Sequence, residues 1–366
     1  MTLDDFFSPD YATARRKFLS AAAEAGLAVV THTHPLTGPH GETLALDLVA
    51  LCPDKAAPCR AERVFVAMSA THGVEGFVGA AAQTAWLKRG HWQRVPKGMG
   101  VLLLHAVNPH GFAHLRRVTE DNVDLNRNFA DFTKPLPRKP AYDDLAEAIC
   151  PKDWTDAALT AAEEKLSAFA QQHGQRALHR AIMGGQYTHP TGVFYGGTKP
   201  TWSRETIMKI LSAYCAEAKH VALLDFHTGL GDFGAGVNYC VGEEGSAGVV
   251  RAHEVWGDDV TILASTPGSG GHDGYNLTGI ARLMADKAVY GNTLEFGTYP
   301  TPVMIRALRA DNWLHLHGDL NSDQGRAIKA EIKRVFYPET SEDWKARTLA
   351  RCLSVWERGL QGLARL

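Results

Sequence analysis

The chain has 366 residues, 45% of them hydrophobic and 21% charged, and a net charge of −2. That balance is ordinary for a soluble globular protein and offers no basic field for nucleic acid or an anionic membrane. No uncharged apolar run reaches the roughly 18 residues of a membrane span. The N-terminal stretch lacks the apolar segment of a secretory signal, and the six scattered cysteines read as reduced thiols of a cytoplasmic protein.

In chain order, Asp10–Gly26 has the pattern of an amphipathic helix ended by Gly26. Leu27–Thr33 and Glu42–Leu51, joined by HPLTGPHG, predict a hairpin-like antiparallel edge of a sheet. Arg63–Met68 (RVFVAM) reads as a buried strand and Ala80–Leu87 as a helix. Between them lies SATHGVEG, residues Ser69 to Gly76. His72 and Glu75 therefore sit at the carboxyl end of a strand, the edge where open α/β sheets bind ligands. An imidazole and a carboxylate three residues apart can converge on one metal ion. Zinc accepts such ligands at about 2.0–2.2 Å and usually takes three from the protein in catalytic sites, so a third is expected elsewhere. By itself the H-x-x-E spacing more often marks a surface or capping histidine.

Gly100–Val107 (GVLLLHAV) predicts a central strand, and the strand, helix, strand order predicts a mostly parallel sheet with helical crossovers. In NPHGFAHLRRVTEDNVDLNRN, Asn108–Pro109 and Gly111 end that strand in a turn. Arg116, Arg117, Arg127 and Asn126 crowd the same loop. Arginine forks grip carboxylates and stabilise oxyanions; a solvated basic loop is the plainer reading. Residues Thr133–Gly197 read as an insertion with a pair of helices, Thr155–Gly174 and Gln175–Met183, and a lid-like loop GGQYTHPTGVFYGG. The insertion is too short for its own core, so residues 1–366 are expected to form one domain.

Thr206–Ala218 predicts a helix and Val221–Phe226 a buried strand with His227 at its end. His227 is the expected third ligand, with the glycines of LLDFHTGLGDFG leaving space beside it; taken alone, a buried histidine satisfied by a backbone carbonyl is the plainer reading. Asp225, on the same face, either orients an imidazole or caps a turn. Val237–Val241, Val260–Ala264 and Ala288–Phe296 read as strands, and Pro302–His315, Asp323–Phe336 and Asp343–Leu366 as closing helices. Glu295, between Leu294 and Phe296, is either a desolvated general base or a solvent-facing strand residue.

The running order of H-x-x-E after a strand, NP-x-G, R-x-T, VDLNRN, a strand-end histidine and L-E-F resembles zinc carboxypeptidases of the carboxypeptidase A type. Relatives include murein-peptide amidases and N-acyl amino acid deacylases. SATHGVEGF, EDNVDLNRNF, GQYTHPTGVFYGG, LLDFHTG and LEFGTYP look closest to a bacterial branch, and the likeness spans most of residues 60–315. It implies an α/β fold with a mixed, mostly parallel twisted sheet between helices. It further implies one Zn²⁺ per chain on His72, Glu75 and His227, and Glu295 as the base that takes a proton from a zinc-activated water. Arg117 would face the oxyanion, Asn126 and Arg127 would grip a substrate carboxylate, and Asp124 would fix a ligand histidine. Tyr275, with Tyr290 next, is the candidate for the family's mobile tyrosine. Gln186, Tyr187 and Tyr195 of the insertion would contact substrate, or else pack the insertion onto the body. The implied substrate is a small peptide or an acylated amino acid. A non-catalytic peptide binder is the reading from another class. His32, His34, His189, His315 and His317 leave a second metal open.

Overall fold

A computed structural model describes residues 1–53, 58–264 and 274–366. Helix α1 (Tyr11–Glu24) leads into strands β1 (Val29–Thr37) and β2 (Thr43–Leu51). Strand β3 (Arg63–Met68), helix α2 (Gly76–Lys88) and strand β4 (Met99–His105) follow, then the short α3 (Pro109–Ala113). The insertion holds α4 (Pro140–Ile149), α5 (Asp156–His173) and α6 (Gln175–Met183). Then come α7 (Trp202–Tyr214), β5 (His220–Phe233), β6 (Gly236–Gly242), α8 (Ala247–Trp256) and β7 (Val260–Ala264). Helix α9 (Asn276–Leu283), strand β8 (Ala288–Gly297) and helices α10 (Thr301–His317), α11 (Asp323–Phe336) and α12 (Glu342–Ala364) complete the chain.

The strands form one eight-stranded sheet in the order β1-β2-β4-β3-β5-β8-β6-β7. The β4-β3-β5-β8 centre is parallel, while β1 with β2, β2 with β4 and β6 with β8 are antiparallel. The sheet is thus mixed and mostly parallel, as the sequence predicts, with the expected antiparallel edge. Its central strands are apolar on both faces because both faces are covered. Phe65 and Ala67 of β3 pack with Phe18, Trp86, Trp256 and Trp356 of α1, α2, α8 and α12. Val64, Val66 and Met68 point the other way, onto Ile207, Ile210 and Leu211 of α7 and Ile280 of α9.

A third buried cluster joins the insertion to the body: Tyr142, Leu145 and Ile149 of α4 pack with Leu166 of α5, Ile305 and Leu308 of α10 and Phe336 of α11. Buried Arg309 donates to the carbonyls of Ala148 and Ile149, which satisfies orphan acceptors at the end of α4. The insertion therefore has three helices where the sequence predicts two. Pro140 explains the miss: it stands at the first helical position, where proline starts a helix, and not in a proline-rich loop. Helices α8 and α9 were likewise not expected, being short and bordered by glycine-rich text.

Candidate metal centre and substrate cavity

Strand β3 ends at Met68, and Ala70 then takes a left-handed conformation (φ 64°) that is uncommon for a residue with a Cβ. That turn brings His72 back over the edge of the sheet, and a short 3-10 turn at Gly73–Glu75 places Glu75 beside it. His227 arrives from β5. The strand runs on to Phe233, so His227 lies inside it and not at its end; β3, however, pairs only as far as Met68 opposite Asp225, so His227 stands clear of its neighbour. The extension exists because β5 continues to pair with β8, where His227 lies opposite Glu295.

Three ligand groups converge there. Nδ1 of His72 is 3.0 Å from Oε1 of Glu75, Nδ1 of His227 is 3.2 Å from Oε2, and the two Nδ1 atoms are 3.1 Å apart. All three residues are buried. The opposite nitrogens face carboxylates: Nε2 of His72 lies 3.2 Å from Asp124 and Nε2 of His227 lies 2.8 Å from Asp225. With Nε2–H donated to those carboxylates, both Nδ1 atoms present lone pairs toward the same point as the Glu75 oxygens. Such a set of acceptors suits a cation at its centre. Tetrahedral zinc with ligands at about 2.0–2.1 Å sets its ligands about 3.3 Å apart, close to the separations here. The residues fit the metal. Among the described residues this is the one group of three His, Cys, Asp or Glu whose ligand atoms all lie within 4.8 Å of one another. Of the spare histidines, His189 pairs with Asp143 at 2.8 Å, His34 with Glu120 at 3.3 Å and His315 with Asp311 at 3.6 Å.

The electrostatics match. Burial alone would lower the pKa of His227, but the Asp225 and Glu75 carboxylates outweigh it and hold it well above the ordinary value. Burial would raise Glu75, and the two imidazoles overturn that and lower it. Glu75 is held further by the Thr228 N–H, at 3.1 Å from Oε2, and by Arg117 Nη1, at 3.2 Å from Oε1. Glu295 goes the other way: burial, then the charge of Glu75, pushes it up to about 7. Its Oε1 accepts the Leu230 N–H at 3.0 Å, from a bulge where β5 shifts register between Gly229 and Phe233.

A cavity of about 200 Å³ opens over this centre, below the roughly 300–1,000 Å³ of pockets for drug-sized ligands. Arg117, Asn126, Arg127 and Tyr275 line it together with His72, Glu75, His227 and Glu295. Arg117 Nε is also tied to Asp124 at 2.9 Å. The Arg127 guanidinium stacks over Tyr275 at 4.5 Å, and its two terminal nitrogens donate to the carbonyls of Asn126 and Met183. Asn126 accepts the N–H of Asn276 at 3.0 Å.

Two expected contacts are not there. Gln186 is fully buried; its Oε1 accepts from the N–H groups of Thr188 and His189, and its Nε2 donates to His189 O. Tyr187 donates its hydroxyl to Arg127 O at 2.7 Å. Neither lines the cavity; both hold the insertion loop against the body, because a loop buried this deeply must satisfy its own backbone. Tyr195 is buried in the same loop. Tyr290 is buried near His220, at the other end of β8 from Glu295. Sequence reasoning also overlooked Tyr239 and Thr293, which face the cavity. Thr293 was legible, since it sits two residues before Glu295 and strand side chains alternate.

Several solved structures are similar to the chain. Thrombin activatable fibrinolysis inhibitor aligns over 97% of this chain and 74% of its own at 12% identity and TM-score 0.52, which shows a shared fold. Carboxypeptidase A from Helicoverpa armigera aligns over 92% and 75% at 13% identity and TM-score 0.46. Murein-tripeptide amidase MpaA from Escherichia coli O157 aligns over 81% and 94% at 16% identity and TM-score 0.35. No curated protein matches the chain. The family described as "Protein of unknown function (DUF2817)" matches over residues 7–351, nearly the whole sequence, and the chain belongs to that family.

Proposed function

We propose that this protein is a zinc-dependent hydrolase that cleaves the amide bond of a small peptide or acylated amino acid bearing a free carboxylate. The observation that carries the reading is the convergence of His72, Glu75 and His227 on one point, with Glu295 opposite His227 in the neighbouring strand. Residues 1–366 act in this reading as one catalytic domain, with 133–197 as an insertion that supports the cavity.

His72, Glu75 and His227 would hold the ion, which when bound polarises a carbonyl and lowers the pKa of water. Glu295 accepts a proton from the attacking water and returns it to the leaving amine; its raised pKa suits both directions of transfer near neutrality. The Leu230 N–H fixes Oε1 of Glu295 and leaves Oε2 for the proton. Arg117 supplies the cationic donor for the developing oxyanion, and Asp124 holds both Arg117 and His72 in place. Asn126 and Arg127, with Tyr275 stacked beside them, receive the substrate carboxylate. The test compares zinc-loaded protein on N-acylated amino acids and dipeptides with their C-terminal amides. Release of free amine from the acids, and much less from the amides, is expected. No release from any of them contradicts the hydrolase reading.

A further inference from the structure

The cavity has two walls of different make. One comes from β6, β7, β8 and α9 and presents Tyr239, Val241, Leu263, Leu277 and Thr293. The other comes from the insertion, α10 and α11 and presents Met183, Phe194, Met304, Ile305, Leu308 and Phe336. They meet at Glu295. Thr293 precedes it on the same strand face. On the other side a Cβ built on Gly229 would lie 3.0 Å from Met304 Sδ, 3.4 Å from Phe336 and 3.5 Å from Glu295 Oε1, so the base sits against the second wall as well.

The carboxylate anchor is tied mainly to the first wall and touches the second only at the insertion, where Arg127 donates to Met183 O and lies over Phe194 at 5.9 Å. Asn126 is bonded to Asn276 at the start of α9, and Arg127 stacks on Tyr275, the residue that precedes that helix. A substrate held there lays its amine half over the first wall. Its carbonyl reaches the metal centre, and its acyl half must cross Glu295 to the second wall.

The second wall is continuous hydrocarbon. Phe194, Met304, Ile305, Leu308 and Phe336 belong to the same buried cluster as the core of the insertion. Among the described residues, every charged group lining the cavity is a ligand, the base, Arg117 or Arg127. Asp311, one turn beyond Leu308 on α10, is taken by Arg116 and Lys329. An α-ammonium on the acyl half would lose its water here and find no carboxylate outside the metal centre. The cations beside this wall, Arg117 and Arg127 over Phe194 at 4.9 and 5.9 Å, are committed to Glu75 and Asp124 and to the carboxylate anchor, so an acidic acyl group would find no further cation.

We infer that the acyl half is an uncharged hydrocarbon chain, so that the substrates are N-acyl amino acids with aliphatic or aromatic acyl groups. This rests on the hydrolase reading above, which by itself leaves free dipeptides and acidic acyl groups equally open.

The test uses the zinc-loaded full chain with N-hexanoyl-L-phenylalanine, N-succinyl-L-phenylalanine and L-leucyl-L-phenylalanine. The hexanoyl compound is expected to exceed both others in kcat/KM by on the order of 100-fold, the cost of a buried unpaired charge. Leu308→Ala should lower kcat/KM for the hexanoyl compound about tenfold, from the lost apolar contact, and lower it less for N-acetyl-L-phenylalanine, whose short acyl group covers less of this wall. A calorimetric titration of zinc-loaded Glu295→Gln with the same three compounds reads the preference without turnover. Binding of the leucyl or succinyl compound as tight as that of the hexanoyl one, or no binding of the hexanoyl one, overturns the inference. A hexanoyl preference in that titration, joined to a wild type that hydrolyses nothing, upholds the acyl site and overturns the hydrolase reading alone.

Discussion

Nε2 of His227 lies 2.8 Å from Oδ2 of Asp225, and the same carboxylate accepts the Thr71 hydroxyl and the Asn276 side-chain amide. One carboxylate thus ties the ligand histidine to the turn after β3 and to the start of α9. Such partners fix the ring and its tautomer, and their loss costs about 10- to 100-fold in metal affinity. Asp225→Asn should therefore weaken zinc by that factor in a chelator competition titration. Unchanged affinity would mean that the pair serves folding only.

Glu295 is buried beside the metal centre and, among the described residues, is fixed by one backbone donor, the Leu230 N–H. Glu295→Gln keeps the shape and the hydrogen bond but cannot take a proton. Amide hydrolysis should fall by about 10²- to 10⁴-fold, the usual worth of a general base, with zinc content unchanged. Full activity in the variant would remove Glu295 from the mechanism.

Gly73 separates His72 from the residues that follow it, and it touches backbone. A Cβ there would lie 1.9 Å from the carbonyl carbon of Gly111 and 2.2 Å from the nitrogen of Phe112. Neither can give way as a flexible side chain would. Gly73→Ala should destabilise the protein by about 3 kcal/mol, the upper end for overpacking, and lower zinc binding with it. Gly248→Ala in α8 meets nothing within 4 Å and is the control, expected to be neutral or to stabilise by up to about 1 kcal/mol. Thermal unfolding of both variants checks this; similar unfolding temperatures would contradict it.

His105 supplies a pH dependence from outside the cavity lining. It is fully buried, stacked on Phe18 at 4.3 Å and bonded to Gln83 at 3.1 Å, and burial pushes its pKa down to about 4. The unfolded chain takes up this proton near pH 6.5, well before the folded one does. The stability that His105 contributes is therefore whole above about pH 6.5 and is lost as the pH falls toward 4. Between pH 6.5 and 5 that amounts to about 2 kcal/mol, at about 1.4 kcal/mol per pH unit. Urea unfolding at the two pH values should show this loss in the wild type and a smaller one in His105→Phe. Equal losses would assign the slope to other groups.

Much of this architecture was legible in the chain. The apolar runs of β3, β4 and β5 are continuous because both faces of the sheet are covered, and that continuity marks them as central strands. His72, Glu75, His227 and Glu295 could be placed together because ligands gather at the carboxyl ends of parallel strands. Other features were hidden. The role of Gln186 depends on a loop folding back on itself, which no spacing reveals. Tyr239 faces the cavity only because β6 enters the sheet antiparallel to β8, at an offset fixed by the whole topology. Helix α4 was masked by prolines whose meaning changes with position. The apolar second wall comes from α10, α11 and the insertion, which meet only in the folded molecule.

The account stands on a divalent ion held by His72, Glu75 and His227. Elemental analysis of the purified protein, wild type beside His72→Ala, measures this directly. About one zinc per chain in the wild type and almost none in the variant is the predicted result. Equal metal content in the two proteins, or none in a folded wild type supplied with zinc, would contradict it.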